Sequence, residues 1–145
     1  QRKYCTMSTV IRPQISKKNK YWISKHRHYE LKHLCLQYKE WKRLYSEFCD
    51  PTIPLSMIDP SSSSIPRRDY NEKRELLKKY YSDRIELIDE TAIDSDPCLH
   101  EYIIKGVTEG KSYTYLKTVL GIPCGKDMYY DRYRKFFWLL SKKRM

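Results

Sequence analysis

Lys126, Tyr129, Tyr130, Tyr133 and Arg134 fall within nine residues, directly after the turn sequence Gly121-Ile122-Pro123-Cys124-Gly125. An arginine fork matches the paired acceptors of a guanine edge, and tyrosine reaches phosphates or thymine methyls. On a helix these five side chains are expected to form a groove-facing set. Met128, the stem of Arg132, Phe136 or Phe137, and Leu139 or Leu140 are expected to form the inner face. Ser112, Tyr113 and Thr114, at the start of the preceding helix, suit phosphate contact through hydroxyls and free N–H groups. Lys142 and Lys143 suit the DNA backbone or the helix's own carbonyl end. The chemistry expected of these residues is the gripping and reading of duplex DNA.

Charge supports that expectation by its placement. The chain of 145 residues carries a formal charge of +11. Residues 1–28 hold eight Lys/Arg and no acid, whereas residues 71–100 hold five basic and eight acidic side chains. Residues 101–145 return to ten basic against four acidic. Two basic ends around a neutral-to-acidic middle fit a polyanion binder whose middle serves another purpose. Lys17, Lys18, Lys20, Lys25 and Arg27 are expected to add sequence-independent attraction to phosphate.

Other chemistries find less support. The five cysteines are odd in number and widely spaced, which favours reduced, packed thiols over disulfides. His26, His28, His33 and Cys35 cluster, with Cys98 and His100 further on, but no Cys-x-x-Cys pair exists and helical spacing spreads them over different faces. No metal site and no cofactor is expected. Glu86, Asp89 and Glu90 beside Arg84 read as a solvated helix face, and no phosphate loop, zincin pair or Ser/His/Asp arrangement is present, so an enzyme is not expected. No apolar run approaches a bilayer span and no signal-peptide core is visible. The chain is read as soluble and intracellular, without a membrane partner.

The elements that must position these residues follow from periodicity and punctuation. Residues 1–18 lack an apolar period and are expected to be a flexible basic arm. From Lys20, the stripe Leu31, Leu34, Cys35, Tyr38, Trp41, Tyr45 and Phe48 predicts one long helix, ended by Asp50-Pro51. Residues 51–66, with four prolines around Ser61–Ser64, are expected to be an extended linker. Leu77, Tyr80, Tyr81, Ile85, Ile88 and Ala92 predict a second long helix over 69–92, supported by a Glu75–Lys79 pair. The two helices are expected to pack as a hairpin or to exchange into a homodimer.

The third block, residues 93–145, is expected to hold three helices. Asp96-Pro97 starts the first and Gly110 stops it; Ser112 caps the second and Gly121 ends it; the last begins near Lys126. Leu99, Tyr102, Ile103, Val107, Tyr115, Leu116 and Val119 are the expected buried positions, with Ile122 as a plug. The predicted fold class is all-α: a long helical hairpin over 19–92 followed by a C-terminal trihelical helix-turn-helix unit.

The segments Tyr102–Lys117, Gly121–Lys142 and Tyr21–Tyr38 resemble a group of small phage and prophage proteins of Gram-positive bacteria. That group is similar to the RinA/ArpU-type transcriptional regulators, whose C-terminal helices resemble the promoter-reading domain of sigma factors. The resemblance covers most of the chain. It implies helix-turn-helix binding of double-stranded DNA and control of phage transcription. The two long helices are expected to set the oligomeric state or to contact host RNA polymerase or another host protein, in the cytoplasm of a bacterial host. Two features depart from the pattern: Lys117 stands where a small residue is usual, and the turn holding Pro123 and Gly125 is one residue longer than usual. The rival expectations are a phage protein that binds a host protein, such as an inhibitor of CRISPR effectors, and a small terminase-like packaging subunit.

Overall fold

A computed structural model describes residues 16–145, and every regular element among them is helical. In chain order these are α1 (Lys25–Cys35), α2 (Tyr38–Cys49), α3 (Leu55–Ile58), α4 (Tyr70–Ser95), α5 (His100–Glu109), α6 (Tyr113–Thr118) and α7 (Lys126–Lys143). Short 3-10 turns at Pro60–Ser64 and Arg67–Asp69 precede α4. The expected all-α class is observed. The chain divides into two compact units: residues up to Leu36 together with Ile88–Met145, and Gln37–Leu87. The expected basic arm lies almost wholly outside the described residues.

The first long helix is corrected to two. Helix α1 ends at Cys35 and α2 begins at Tyr38, although no glycine or proline separates them. The stripe is continuous in sequence but serves two cores. Leu31 and Cys35 are fully buried in the first unit, while Tyr38, Trp41 and Phe48 are buried in the second. A hydrophobic period records which positions are buried, not against what, so it runs through the break.

In the Gln37–Leu87 unit, proline does what steric reasoning requires: Asp50, before Pro51, leaves the helical region with ψ near 110°. The carbonyls freed there are taken by Arg74, whose guanidinium donates to Phe48 O at 2.8 Å, Asp50 O at 3.3 Å and Ile53 O at 2.6 Å. Phe48 stacks on Tyr81 with ring centroids 5.9 Å apart. Residues 51–66 are more ordered than an extended linker. Leu55 and Ser62 are buried, the Ser62 hydroxyl donates to Asp59 O at 2.6 Å, and Lys73 pairs with the Asp59 carboxylate at 3.1 Å. Hydrogen bonds from Ser61 and the charge of Lys73 hold the Asp59 carboxyl below the usual carboxylate range. Along α4 the expected Glu75–Lys79 pair is replaced by Glu75–Lys78 at 3.2 Å and Lys79–Asp83 at 3.0 Å.

In the other unit, α7 packs against both α1 and α5. Its buried face is Tyr129, Tyr130, Phe136, Phe137 and Leu140, with Tyr133 on the same arc. Leu31 and Cys35 of α1, Ile88 and Ala92 from the end of α4, and Leu99, Ile103 and Val107 around α5 are buried in the same unit. The Gly110, Ser112 and Gly121 punctuation behaves as expected, whereas the expected start at Asp96-Pro97 is a turn and α5 begins at His100. Gly110 and Gly121 both have φ of 68°, a region that L side chains avoid, and the Ser112 hydroxyl accepts from Tyr115 N at 3.2 Å. Asp96 accepts from Cys98 N at 2.9 Å and organises the turn from which α5 emerges. Ile122 is fully buried and its N–H donates to Leu116 O at 2.9 Å. Val119 differs from expectation: it is 60% exposed at the C-terminal end of α6.

Candidate nucleic-acid interface

The rotation of α7 decides which side chains a partner could touch. Burial at 129, 130, 136, 137 and 140 follows i, i+1, i+7, i+8 and i+11, with half-buried Tyr133 at i+4, a helical stripe centred between Tyr133 and Phe137. The sequence-based orientation, with Met128 inside and Tyr129, Tyr130 and Tyr133 in a groove, is therefore corrected. Met128 is 44% exposed, whereas Tyr129 is 1% exposed. The error is one of phase. A residue's step of about 100° separates the two readings, and tyrosine, being amphipathic, suits either side.

The three tyrosines form a cluster rather than a reading surface. Tyr129 meets the rings of Tyr113, Tyr130 and Tyr133 at centroid distances of 5.9, 5.1 and 6.0 Å. Tyr133 continues the chain of rings to Phe137 at 5.0 Å, and Phe137 to His28 at 4.9 Å. Burial raises the phenol pKa of Tyr129, Tyr130 and Tyr133, keeping all three hydroxyls neutral. Burial and, to a smaller extent, the charge of Lys32 push His28 down to about 4, so it is an uncharged core residue. Arg134 is half-buried and its Nε has no partner among the described residues, which leaves it poorly placed to present a full fork to a base.

Other predicted contacts are occupied within the fold. Arg27 donates to Ser141 Oγ at 3.1 Å, Ser141 O at 3.0 Å and Arg144 O at 3.4 Å, closing the C-terminal end of α7 instead of waiting for a phosphate. Lys143 pairs with Asp94 at 2.7 Å, and Lys142 lies 3.8 Å over the Trp138 ring. Arg132, expected inside by its stem, is tied by its head to Asp96 at 3.0 Å and to Asp131. Tyr113, expected at a phosphate, donates its hydroxyl to Cys124 O at 2.7 Å. Lys17 and Lys20 lie over the rings of Trp22 and Tyr21, while Lys18 and Lys25 are exposed.

What remains free is a smaller surface. Thr114, Lys117 and Thr118 recur at i, i+3 and i+4 on α6 and are all exposed. Lys126 is exposed at the start of α7. The Tyr113–Cys124 hydrogen bond draws the turn before α7 onto the start of α6, and Lys117 is close enough to Cys124 to lower its thiol pKa, against the larger upward effects of burial and Asp96. Lys117 and Lys126 thus flank one turn, and neither has an ion pair among the described residues. Lys111 adds a third cation 4.5 Å over the Tyr115 ring. In sequence Lys117 stands out only as a departure from pattern; its spacing from Thr114 is the available sign that it shares an outer face.

Helix packing beneath this surface depends on Gly106. A Cβ there would land on the Tyr129 hydroxyl, far inside van der Waals contact, and 3.3 Å from Tyr129 Cζ. Only glycine lets α7 bring the hydroxyl end of that ring this close to α5. Set against known protein families, curated proteins and solved structures, the chain matches none.

Proposed function

We propose that the protein binds duplex DNA through α6 and the first turn of α7, and acts as a transcriptional regulator of the phage type. The observation that carries this reading is that Thr114, Lys117 and Thr118 on α6 and Lys126 at the start of α7 are all exposed beside one turn, the two ammonium groups without an ion pair among the described residues. The basic surplus of the segments around it, within a total of +11, supplies the long-range attraction that a polyanion partner needs. The reading keeps helix-turn-helix order but assigns the contacts to α6 and the turn, with the tyrosine cluster as scaffold. No membrane role is proposed, and no helix among the described residues is long and apolar enough to cross a bilayer.

The test is fluorescence anisotropy of the full chain on labelled duplex, titrated across salt. Lys117→Gln with Lys126→Gln should weaken binding and flatten the log–log salt slope by roughly 0.9 for each phosphate no longer neutralised. Lys79→Gln, in the acidic middle of the chain, should change neither. An unchanged slope in the double variant removes this face from the interface.

A second reading, docking onto a host protein, is favoured by the exposed Val119, Leu120 and Met128 around the same turn, 60%, 37% and 44% accessible. Absence of any salt-sensitive duplex binding at low ionic strength, together with 1:1 capture of a host protein lost in Val119→Asp, would replace the first reading with this one.

A further inference from the structure

One side chain of the proposed DNA surface has the wrong charge for it. Asp127 is exposed in the first turn of α7, between Lys126, exposed at the helix start, and Met128, 44% exposed. It has no hydrogen bond or ion pair among the described residues. Asp131, one turn further along the same arc, is tied to Arg132, so its charge is compensated. Asp127 is left as a bare carboxylate beside the turn that Lys117 and Lys126 flank.

Attraction to the helix dipole accounts for an acid in a first turn. It does not remove the cost of setting that acid against a polyanion. A phosphate repels the carboxylate, and so do the acceptor atoms of guanine and thymine edges. The donors that a major groove offers are the exocyclic amines, cytosine N4 and adenine N6. Adenine sets its N7 lone pair beside N6, an arrangement that suits an amide and repels a carboxylate. Cytosine carries no ring acceptor beside N4 on that edge. The base that turns Asp127 from a liability into a contact is therefore cytosine.

We infer that Asp127 is a specificity-determining residue of this surface, its carboxylate accepting from the N4 amine of a cytosine in the major groove while Lys117 and Lys126 hold phosphates. The inference rests on the DNA reading above and adds a base to it. The two roles separate physically. The lysines act on every sequence alike, through salt-sensitive attraction. Asp127 opposes binding wherever no amine meets it, so it rejects wrong sites as well as favouring the right one.

The experiment selects duplexes from a randomised library with the full chain. Each cytosine of the selected duplex is then replaced in turn by an analogue that lacks the N4 amine. Fluorescence anisotropy at fixed salt compares wild type, Asp127→Ala and Glu86→Ala. At one position wild type should lose about tenfold in affinity, the effect of one hydrogen bond to a charged group, and Asp127→Ala should lose none. Asp127→Ala should also bind unrelated duplex more tightly than wild type, because a repelling charge is gone. Glu86→Ala, in the Gln37–Leu87 unit, should behave as wild type throughout. Asp127 is exposed and unpartnered, so its truncation should leave the fold intact, which a melting curve checks. Equal losses in wild type and Asp127→Ala at every cytosine would overturn the inference, while salt-sensitive binding would keep the DNA reading. Absence of salt-sensitive binding of any duplex by wild type would overturn both.

Discussion

Replacing Gly106 by alanine tests the close approach of α5 and α7 directly. Alanine favours a helix interior over glycine by about 0.8–1.0 kcal/mol, so on local grounds the change should stabilise α5. The structure predicts the reverse. The new methyl meets the Tyr129 hydroxyl at the end of a rigid ring, and that ring is held by Tyr113, Tyr130 and Tyr133. Overpacking of this kind costs about 1–3 kcal/mol, which after the propensity gain leaves a net loss of up to about 2 kcal/mol. In a Tyr129→Phe background the hydroxyl is gone and the nearest atom is Cζ at 3.3 Å, which needs to yield only slightly. There Gly106→Ala should be close to neutral, giving a coupling of about 1–2 kcal/mol, well above the ~0.3–0.5 kcal/mol scatter of independent sites. Urea unfolding followed by hydrogen exchange in α5 and α7 peptides reads this unit separately from Gln37–Leu87. With m near ~2 kcal/mol/M, the single variant should lose up to about 1 M in midpoint. Equal effects of Gly106→Ala in both backgrounds would refute the packing argument.

Two further expectations concern the same unit. His28 is held neutral by burial, its folded pKa about 4 against 6.5 for the free side chain. The unfolded chain therefore binds the extra proton in that window, so stability is full above pH 6.5 and falls as pH drops towards 4, by up to about 3 kcal/mol. Denaturation midpoints across pH should show this slope in wild type and lose it in His28→Leu; parallel profiles would contradict it. Arg27→Ala should lower stability by about 1–3 kcal/mol by freeing the Ser141 and Arg144 carbonyls, and Arg27→Lys should restore little, since an ammonium cannot span the two with a planar fork. Thermal melts of the three proteins decide it, and full rescue by lysine would argue for charge alone.

Much of the local architecture is legible in the sequence because it rests on backbone constraints. Gly110 and Gly121 adopt left-handed geometry, Ser112 caps α6, Asp50 leaves the helix before Pro51, and Ile122 plugs the core. Each of these is fixed by one or two residues and their immediate neighbours. What sequence does not reveal depends on tertiary assignment. Nothing at Leu36-Gln37 marks the division of one apolar stripe between two cores. The phase of α7 is ambiguous in sequence because Met128 and three tyrosines compete for the inside, and hydropathy favours methionine. The space left by Gly106, which the hydroxyl end of Tyr129 fills, decides for Tyr129 instead. The candidate interface moves for the same reason: Arg27, Lys143 and Tyr113 find partners that lie 114, 49 and 11 positions away in sequence.

The interruption of one unit by Gln37–Leu87 sets an order of events during synthesis. Leu31 and Cys35 leave the ribosome long before Phe136 and Leu140, the residues that cover the same core. At ~5–20 residues per second the delay is on the order of ten seconds. Throughout it, α1 has no completed core to join, while the contacts of the intervening segment, such as Arg74 to Phe48 across 26 positions, are already available. The nascent chain should thus pass through a state in which the middle is folded and the earlier helix is still waiting, exposed to chaperones or to the equivalent helix of a neighbouring chain.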